Sequence, residues 1–349
     1  MKLSSVITRK LRARQFTKAT RAEVWELLAA LTKSKIAISE ALMIAASVYQ
    51  KRGKKGVYNI LLDMRAAIPN NELQKVAAQY APGGEALLLS GYGDTDTESL
   101  FKSMARIAKT ELVISRAIKG AIAQPVFVFL LLACVIYGAG VALFPALVEL
   151  QPLETWPIIS KLFAKAAMGF ATAAPYIAPV FAVLVAIIAI AVPNYTGGAR
   201  TSLDRAPPFS FYKLRIGASF ILSVIEAGRV GQKIDSNFLY EMAYTASPYA
   251  RSRITKIGQL LNSVSFGEAT LNANQGFPAE DVNTIAAALS TKEGWVENLG
   301  AFVDSWLDTV ELQAKRSAAI LNTIFMLLAA ATIGMLLVSI FSILQFITF

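Results

Sequence analysis

The chain has 349 residues, of which 55% are hydrophobic and only 17% charged, with a formal net charge of +10. Soluble domains carry roughly a quarter charged residues, so part of this chain requires a solvent other than water. It contains no histidine and a single cysteine, Cys134. That excludes a disulfide framework within the chain, histidine-ligated metal sites, and Ser-His or Cys-His nucleophile pairs.

Residues 1–20 read as a basic tail. Met1 to Arg21 hold seven Lys or Arg and no apolar stretch of the kind a cleavable signal needs. Such a composition predicts disorder until the tail meets a partner or anionic lipid. Residues 21–119 read as a helical bundle: Ala, Leu, Lys and Glu recur at helical spacing with almost no strand signal. Turn residues near Lys35, Arg52–Gly56, Pro69–Asn71, Pro82–Gly84 and Gly91–Asp96 divide it into about six helices. Val24, Leu27, Leu28 and Leu31 form an apolar stripe expected to face the core. The last helix runs from about Thr97 into the first uncharged stretch.

Three stretches lack Asp, Glu, Lys and Arg altogether: Gly120 to Val148, Ala166 to Ala199 and Ser317 to Phe349. Each exceeds the ~20 apolar residues that a helix needs to cross a bilayer. They predict transmembrane helices over residues 120–148, 166–192 and 317–345. Residues 149–165 form a short external loop and 346–349 an external C-terminus. Lys102, Arg106, Lys109, Arg116 and Lys119 precede the first span, and Arg200, Arg205, Lys213 and Arg215 follow the second. The intervening loop has only Lys161 and Lys165 against Glu149 and Glu154. By the positive-inside rule the N-terminus and both helical regions are cytoplasmic.

Residues 193–210 read as a linker, interrupted by the helix-stopping pair Pro207 and Pro208. Residues 211–316 break up as the first region does, at Ala227–Gly231, Ser247–Pro248, Asn262–Ser265, Gln275–Pro278 and Ser290–Lys292. Again about six helices result, the last feeding a span. Glu111–Leu112 with Arg116 recurs as Glu311–Leu312 with Arg316, as an internal repeat would. The expected fold class is therefore an all-α polytopic membrane protein, with two tandem cytoplasmic helical bundles and three transmembrane helices. The charge is uneven: residues 1–119 hold 20 basic and 10 acidic residues, residues 200–316 hold 12 of each. A positive-inside surface near anionic lipid accounts for this surplus, and no aromatic-interleaved basic motif points to nucleic acid.

Motifs for catalysis are missing. No phosphate-binding G-x-x-x-x-G-K-[ST] occurs. Asp94, Asp96 and Glu98 resemble a calcium loop, but Ser99 stands where Gly is required and Ala105 where Glu should be. A polar turn capping the next helix is the expected role there. Ser99 to Lys102 fits S-x-x-K with no K-T-G following. No enzyme activity, metal or cofactor is expected. The spans carry small residues instead, and Gly138, Gly140, Gly169 and Ala173 are the expected contacts between membrane helices.

This layout resembles the type II secretion protein F family, the inner-membrane platform proteins of type IV pilus and type II secretion machines. The likeness covers Arg21 to Phe349 and rests mainly on architecture. Ser34-Lys35-Ile36-Ala37-Ile38-Ser39-Glu40-Ala41-Leu42 fits the family's junction between its first two bundle helices, with Lys35 in place of glycine. Glu226-Ala227-Gly228-Arg229-Val230 keeps a glycine in the second repeat, and Gln124-Pro125 matches the entry to the first span. Gly91 with Leu100, and Glu293-Gly294 with Leu299, are what remains of the pattern before the last bundle helix. These departures imply a divergent branch, such as type IVb or conjugative thin-pilus systems.

The resemblance implies a bacterial inner-membrane protein with a periplasmic C-terminus, assembled as a dimer. It implies coupling of a hexameric cytoplasmic ATPase to pilin subunits, alongside other inner-membrane pilus assembly proteins. Lys33, Lys35 and Glu40 in the first repeat, with Arg229 and Lys233 in the second, place charge at equivalent helix 1–2 corners and are the expected partner contacts. A membrane-anchored scaffold or signalling protein unrelated to pili is the alternative.

Overall fold

A computed structural model describes residues 12–81, 83–89, 96–273 and 276–347. Every regular element among them is helical. In the first region these are α1 (Lys18–Lys33), α2 (Ile38–Lys51), α3 (Lys55–Ala67), α4 (Leu73–Ala77), α5 (Gly83–Leu88) and α6 (Thr97–Gly138). A π-helical turn at Ala139–Leu143 leads into α7 (Phe144–Leu150), a 3₁₀ turn spans Leu153–Thr155, and α8 covers Ile158–Asn194. After α9 (Arg200–Leu203) come α10 (Phe209–Arg229), α11 (Ser236–Thr245), α12 (Pro248–Leu260), α13 (Phe266–Ala273), α14 (Glu280–Leu289) and α15 (Trp295–Ile347). Three of these helical stretches, Thr97–Leu150, Ile158–Asn194 and Asn322–Ser342, are long and apolar enough to span a membrane.

The chain divides into two compact units. The first holds residues 1–116 and 192–310, and the second residues 117–191 and 311–349. Both six-helix regions thus contribute to one unit. Its helix ends are set by local chemistry. Thr17 caps α1 by accepting from the Thr20 N–H at 3.3 Å. Asp235 caps α11 through the Phe238 N–H at 3.0 Å, and Ser247 precedes Pro248 at the start of α12. Asp96 accepts from both the Ser99 N–H (3.0 Å) and its hydroxyl (2.8 Å), so this carboxylate is used as a helix cap. Asp94 and Gly91 lie outside the described residues.

Two helices end on the same device. After α1 the Lys35 N–H reaches the Thr32 carbonyl (2.9 Å) and the Ile36 N–H the Leu31 carbonyl (3.3 Å). After α10 the Gly231 N–H reaches Gly228 (2.9 Å) and the Gln232 N–H reaches Ala227 (2.9 Å). Both are Schellman closures with the turning residue left-handed, at φ +58° for Lys35 and +80° for Gly231. Gly231, and not Gly228, thus takes after α10 the position that Lys35 takes after α1. Gly228 is instead a packing glycine, since a Cβ there would lie 2.8 Å from Val296.

The core of the first unit surrounds Trp25, Leu28, Tyr49, Ile60, Leu61, Phe101, Ile221 and Leu222, all at most 2% exposed. The α1 stripe is rotated from its expected centre: Val24, Trp25 and Leu28 are buried, while Leu27 and Leu31 are half-buried. The basic tail is also shorter than its composition implies. Residues 12–15 are helical and Phe16 is buried against Trp25 with ring centroids 5.7 Å apart. One aromatic side chain offers a hydrophobic anchor that the surrounding charge conceals. Residues 1–11 lie outside the described residues.

The expected linker is packed as well. Arg200, 1% exposed, donates to Asp204 (2.8 Å) and to the Val192 carbonyl (2.7 Å) in the last turn of α8. Its guanidinium also stacks 4.0 Å from the Tyr249 ring centroid. A cation at a helix C-terminus satisfies orphan carbonyls and the helix dipole together.

In the second unit, the loop expected over 149–165 narrows to residues 151–157, because helix extends from both sides. Phe144 packs against Trp156 (6.2 Å) and Phe163 (5.7 Å), and Trp156 donates to the Gln151 carbonyl at 3.1 Å. The π turn answers Pro145. Proline inside an α-helix lacks an N–H and collides with the carbonyl four residues earlier, and the wider turn, closed by Phe144 N–H to Ala139 C=O, precedes it. Helix α8 continues through Pro175 and Pro179.

Two substitutions test this reading. Lys35→Gly should raise unfolding stability by about 1 kcal/mol, since only glycine adopts a left-handed φ without steric cost; a thermal melt in detergent measures it. Gly140→Leu should destabilise by about 1–3 kcal/mol through overpacking, whereas Gly138→Leu should stay within about 0.5 kcal/mol in the same assay.

Candidate functional site

Two ionic clusters lie in the first unit between the helices of its two regions. The first is a chain of buried charge. Arg21 on α1 donates through Nε to both oxygens of Glu85 on α5, at 3.0 and 3.1 Å, and the Trp25 indole N–H donates to Glu85 at 2.8 Å. Arg21 also lies 3.8 Å from Glu111 on α6, which pairs with Lys18 at 3.1 Å and accepts from the Ser219 hydroxyl of α10. Glu85 is fully buried. Burial outweighs the attraction of Arg21 and pushes its carboxyl up to about 7, and the nearby Glu111 charge adds in the same direction. Burial, opposed by Glu111, likewise lowers the Lys18 ammonium.

The second cluster lines a cleft of about 760 Å³. Glu226, buried on α10, pairs with Arg229 at 2.6 Å and with Arg106 of α6 at 3.4 Å. Asp304 of α15 pairs with Arg106 and stands 3.9 Å from Arg229, while Lys109 pairs with Glu26. A glycine at position 300 makes room, because a Cβ there would sit 2.5 Å from the Arg229 guanidinium. Each carboxylate here is bound to a cation, an arrangement that fixes helices against one another and leaves no free base. Among the described residues no three His, Cys, Asp or Glu side chains converge as a metal site would require.

The expected contact residues separate into two kinds. Lys33, Lys35, Glu40 and Lys233 are exposed, and Lys33 makes one long pair with Glu98 at 4.0 Å. Arg229 is not a free corner charge but part of the Glu226–Asp304 cluster. Of the small residues, Gly140 makes the close approach: a Cβ there would strike the Ala167 carbonyl and lie 2.8 Å from Ala171. Gly138 and Gly169 face open space, and Ala173 is half-buried.

Sequence reasoning missed Glu85, Arg21 and Glu226 as a buried set. The available signal was their placement: Arg21 and Glu226 each fall on the apolar face of a helix, where an unpaired charge would be costly. Glu85 sits beside the apolar run Ala86-Leu87-Leu88-Leu89. No family model, no curated protein and no solved structure matches the chain.

The proton on Glu85 makes a measurable prediction. Its folded-state pKa lies above the ordinary 4.5, so the folded protein holds a proton that the unfolded chain releases as pH rises. The group's contribution is complete below about pH 4.5 and declines as pH climbs towards 7. Glu85→Gln removes this slope. Its stability relative to the parent should therefore increase from pH 5 to 7.5 by on the order of 3 kcal/mol at most, read by thermal or denaturant unfolding at each pH.

Proposed function

We propose that the protein is an inner-membrane platform of a type IV pilus or type II secretion machine, coupling a hexameric cytoplasmic ATPase to pilin insertion or extraction. The observation that carries this reading is the repeated order of elements. Six helices, α1–α6 and α10–α15, occur in each region, and the sixth of each continues into a long apolar stretch. The matching left-handed closures at Lys35 and Gly231 support a duplicated unit.

On this reading the three apolar stretches cross the bacterial inner membrane. The N-terminus and both helical regions, as two bundles, lie in the cytoplasm and the C-terminus in the periplasm. The exposed apolar side chains Phe127, Phe181 and Leu327, 65%, 49% and 66% accessible, face lipid. The ionic clusters are structural and the protein does no chemistry of its own. A dimer is the working assembly, and the exposed corners with Lys33, Lys35, Glu40 and Lys233 meet the ATPase.

Affinity capture of the tagged protein from detergent-solubilised membranes should recover a secretion-type ATPase and a pilin-like protein. Recovery of neither, with the protein folded, would favour a membrane-anchored scaffold. Charge reversal of Lys33 and Lys35 together should lower ATPase recovery severalfold without changing the melting temperature, and unchanged recovery would remove this corner from the interface.

A further inference from the structure

Beside the buried ionic chain lies a second cavity, of about 300 Å³, between α1, α6 and the start of the second helical region. Two cations, Lys18 and Arg215, and one carboxylate, Glu111, stand on its wall. Glu111 is already engaged three times, by Lys18, Arg21 and the Ser219 hydroxyl. Arg215 has no carboxylate partner among the described residues, and its guanidinium lies 5.3 Å from the Tyr212 ring centroid. Such a cation–π contact does not use the N–H donors of the guanidinium fork.

The hydroxyls of the wall are arranged in the same sense. Tyr212 donates to Ser247 Oγ at 2.7 Å, and Ser247 Oγ also accepts from the Ala250 N–H at 3.4 Å. Ser247 is thus filled as an acceptor and retains its own O–H to donate. The positive charge is crowded: Arg215 and Arg21 both disfavour the Lys18 ammonium, in addition to burial. Two cations against one carboxylate, an unpaired guanidinium fork and a spare hydroxyl thus line one small cavity whose wall is otherwise largely apolar, and Lys18 is shared with Glu111 and the Ser115 hydroxyl. That combination suits a compact, multiply charged oxyanion.

We propose that this cavity binds a small phosphate group, with Arg215 as the fork, Lys18 as the point charge and Ser247 as a hydroxyl donor. The inference does not depend on the pilus reading. A free phosphate compound and the headgroup of an anionic lipid present the same chemistry, and the test separates them.

The full chain, in phosphatidylcholine nanodiscs, is melted across a series of potassium phosphate concentrations against potassium chloride at matched ionic strength. A rise in melting temperature specific to phosphate supports the site, with a free anion as its source. Arg215→Gln should weaken the apparent phosphate affinity about ten- to a hundredfold, and Ser247→Ala should weaken it less. In parallel, nanodiscs containing phosphatidylglycerol are compared with phosphatidylcholine alone. Stabilisation by phosphatidylglycerol that Arg215→Gln removes, without a phosphate effect, supports the site with a lipid headgroup as its source. Absence of any phosphate or phosphatidylglycerol effect in the parent protein overturns the proposal. So does an effect that persists undiminished in both variants. Should Arg215→Gln fail to fold, Ser247→Ala and the parent protein still decide it.

Discussion

The guanidinium of Arg21 is the constraint on which the first unit depends. It is buried with two carboxylates, Glu85 and Glu111, that arrive from segments 64 and 90 residues away. A buried ion pair adds little net stability, because desolvation offsets the attraction, but removing one partner strands a charge at high cost. The effect is on specificity. Helices α1, α5 and α6 can associate only in the register that brings these groups together, and alternatives that bury the same apolar area leave a charge unpaired.

The same polar logic ties the two six-helix regions into one body. Ser219 donates to Glu111, Arg106 reaches Glu226 and Asp304, and the Gln232 amide donates to the Leu88 carbonyl at 2.9 Å. Hydrogen bonds of this kind are directional, so they hold an angle between helices where apolar packing alone would tolerate sliding. For a component proposed to transmit force, resistance to shear within the body is more relevant than total stability.

Much of the architecture was readable in advance, because helix breaks and membrane length have strong local causes. The breaks expected at Lys35, Pro69–Asn71, Asn262–Ser265 and Ser290–Lys292 fall between observed helices, and those at Arg52–Gly56 and Ser247–Pro248 run into the start of the next helix. Charge-free runs identified the three long apolar stretches. What escaped were features set by distant neighbours. Phe16 and Arg200 belong to segments whose composition reads as solvated, yet each is anchored by an aromatic ring outside its segment: Trp25 for the first, Tyr249 for the second. Glu85 is one carboxylate among many until Arg21 and Trp25 are placed beside it. Among four small residues on the apolar helices, only geometry distinguishes Gly140, which meets a neighbouring helix, from Gly138, which meets nothing.

The π turn at Ala139–Leu143 carries a further consequence for helix phase. A π turn places one more residue in a turn than an α-helix does, and each residue of an α-helix advances the side-chain direction by about 100°. Everything beyond Leu143 is therefore swung round relative to the face that Cys134 and Tyr137 present. The turn thus lets one continuous rod show two different sides along its length. The segment up to Tyr137 keeps an outward face of large side chains, while Phe144 and Leu147 point inward on Trp156 and Phe163. A periodicity read straight through from Val126 would have put those two residues on the wrong side.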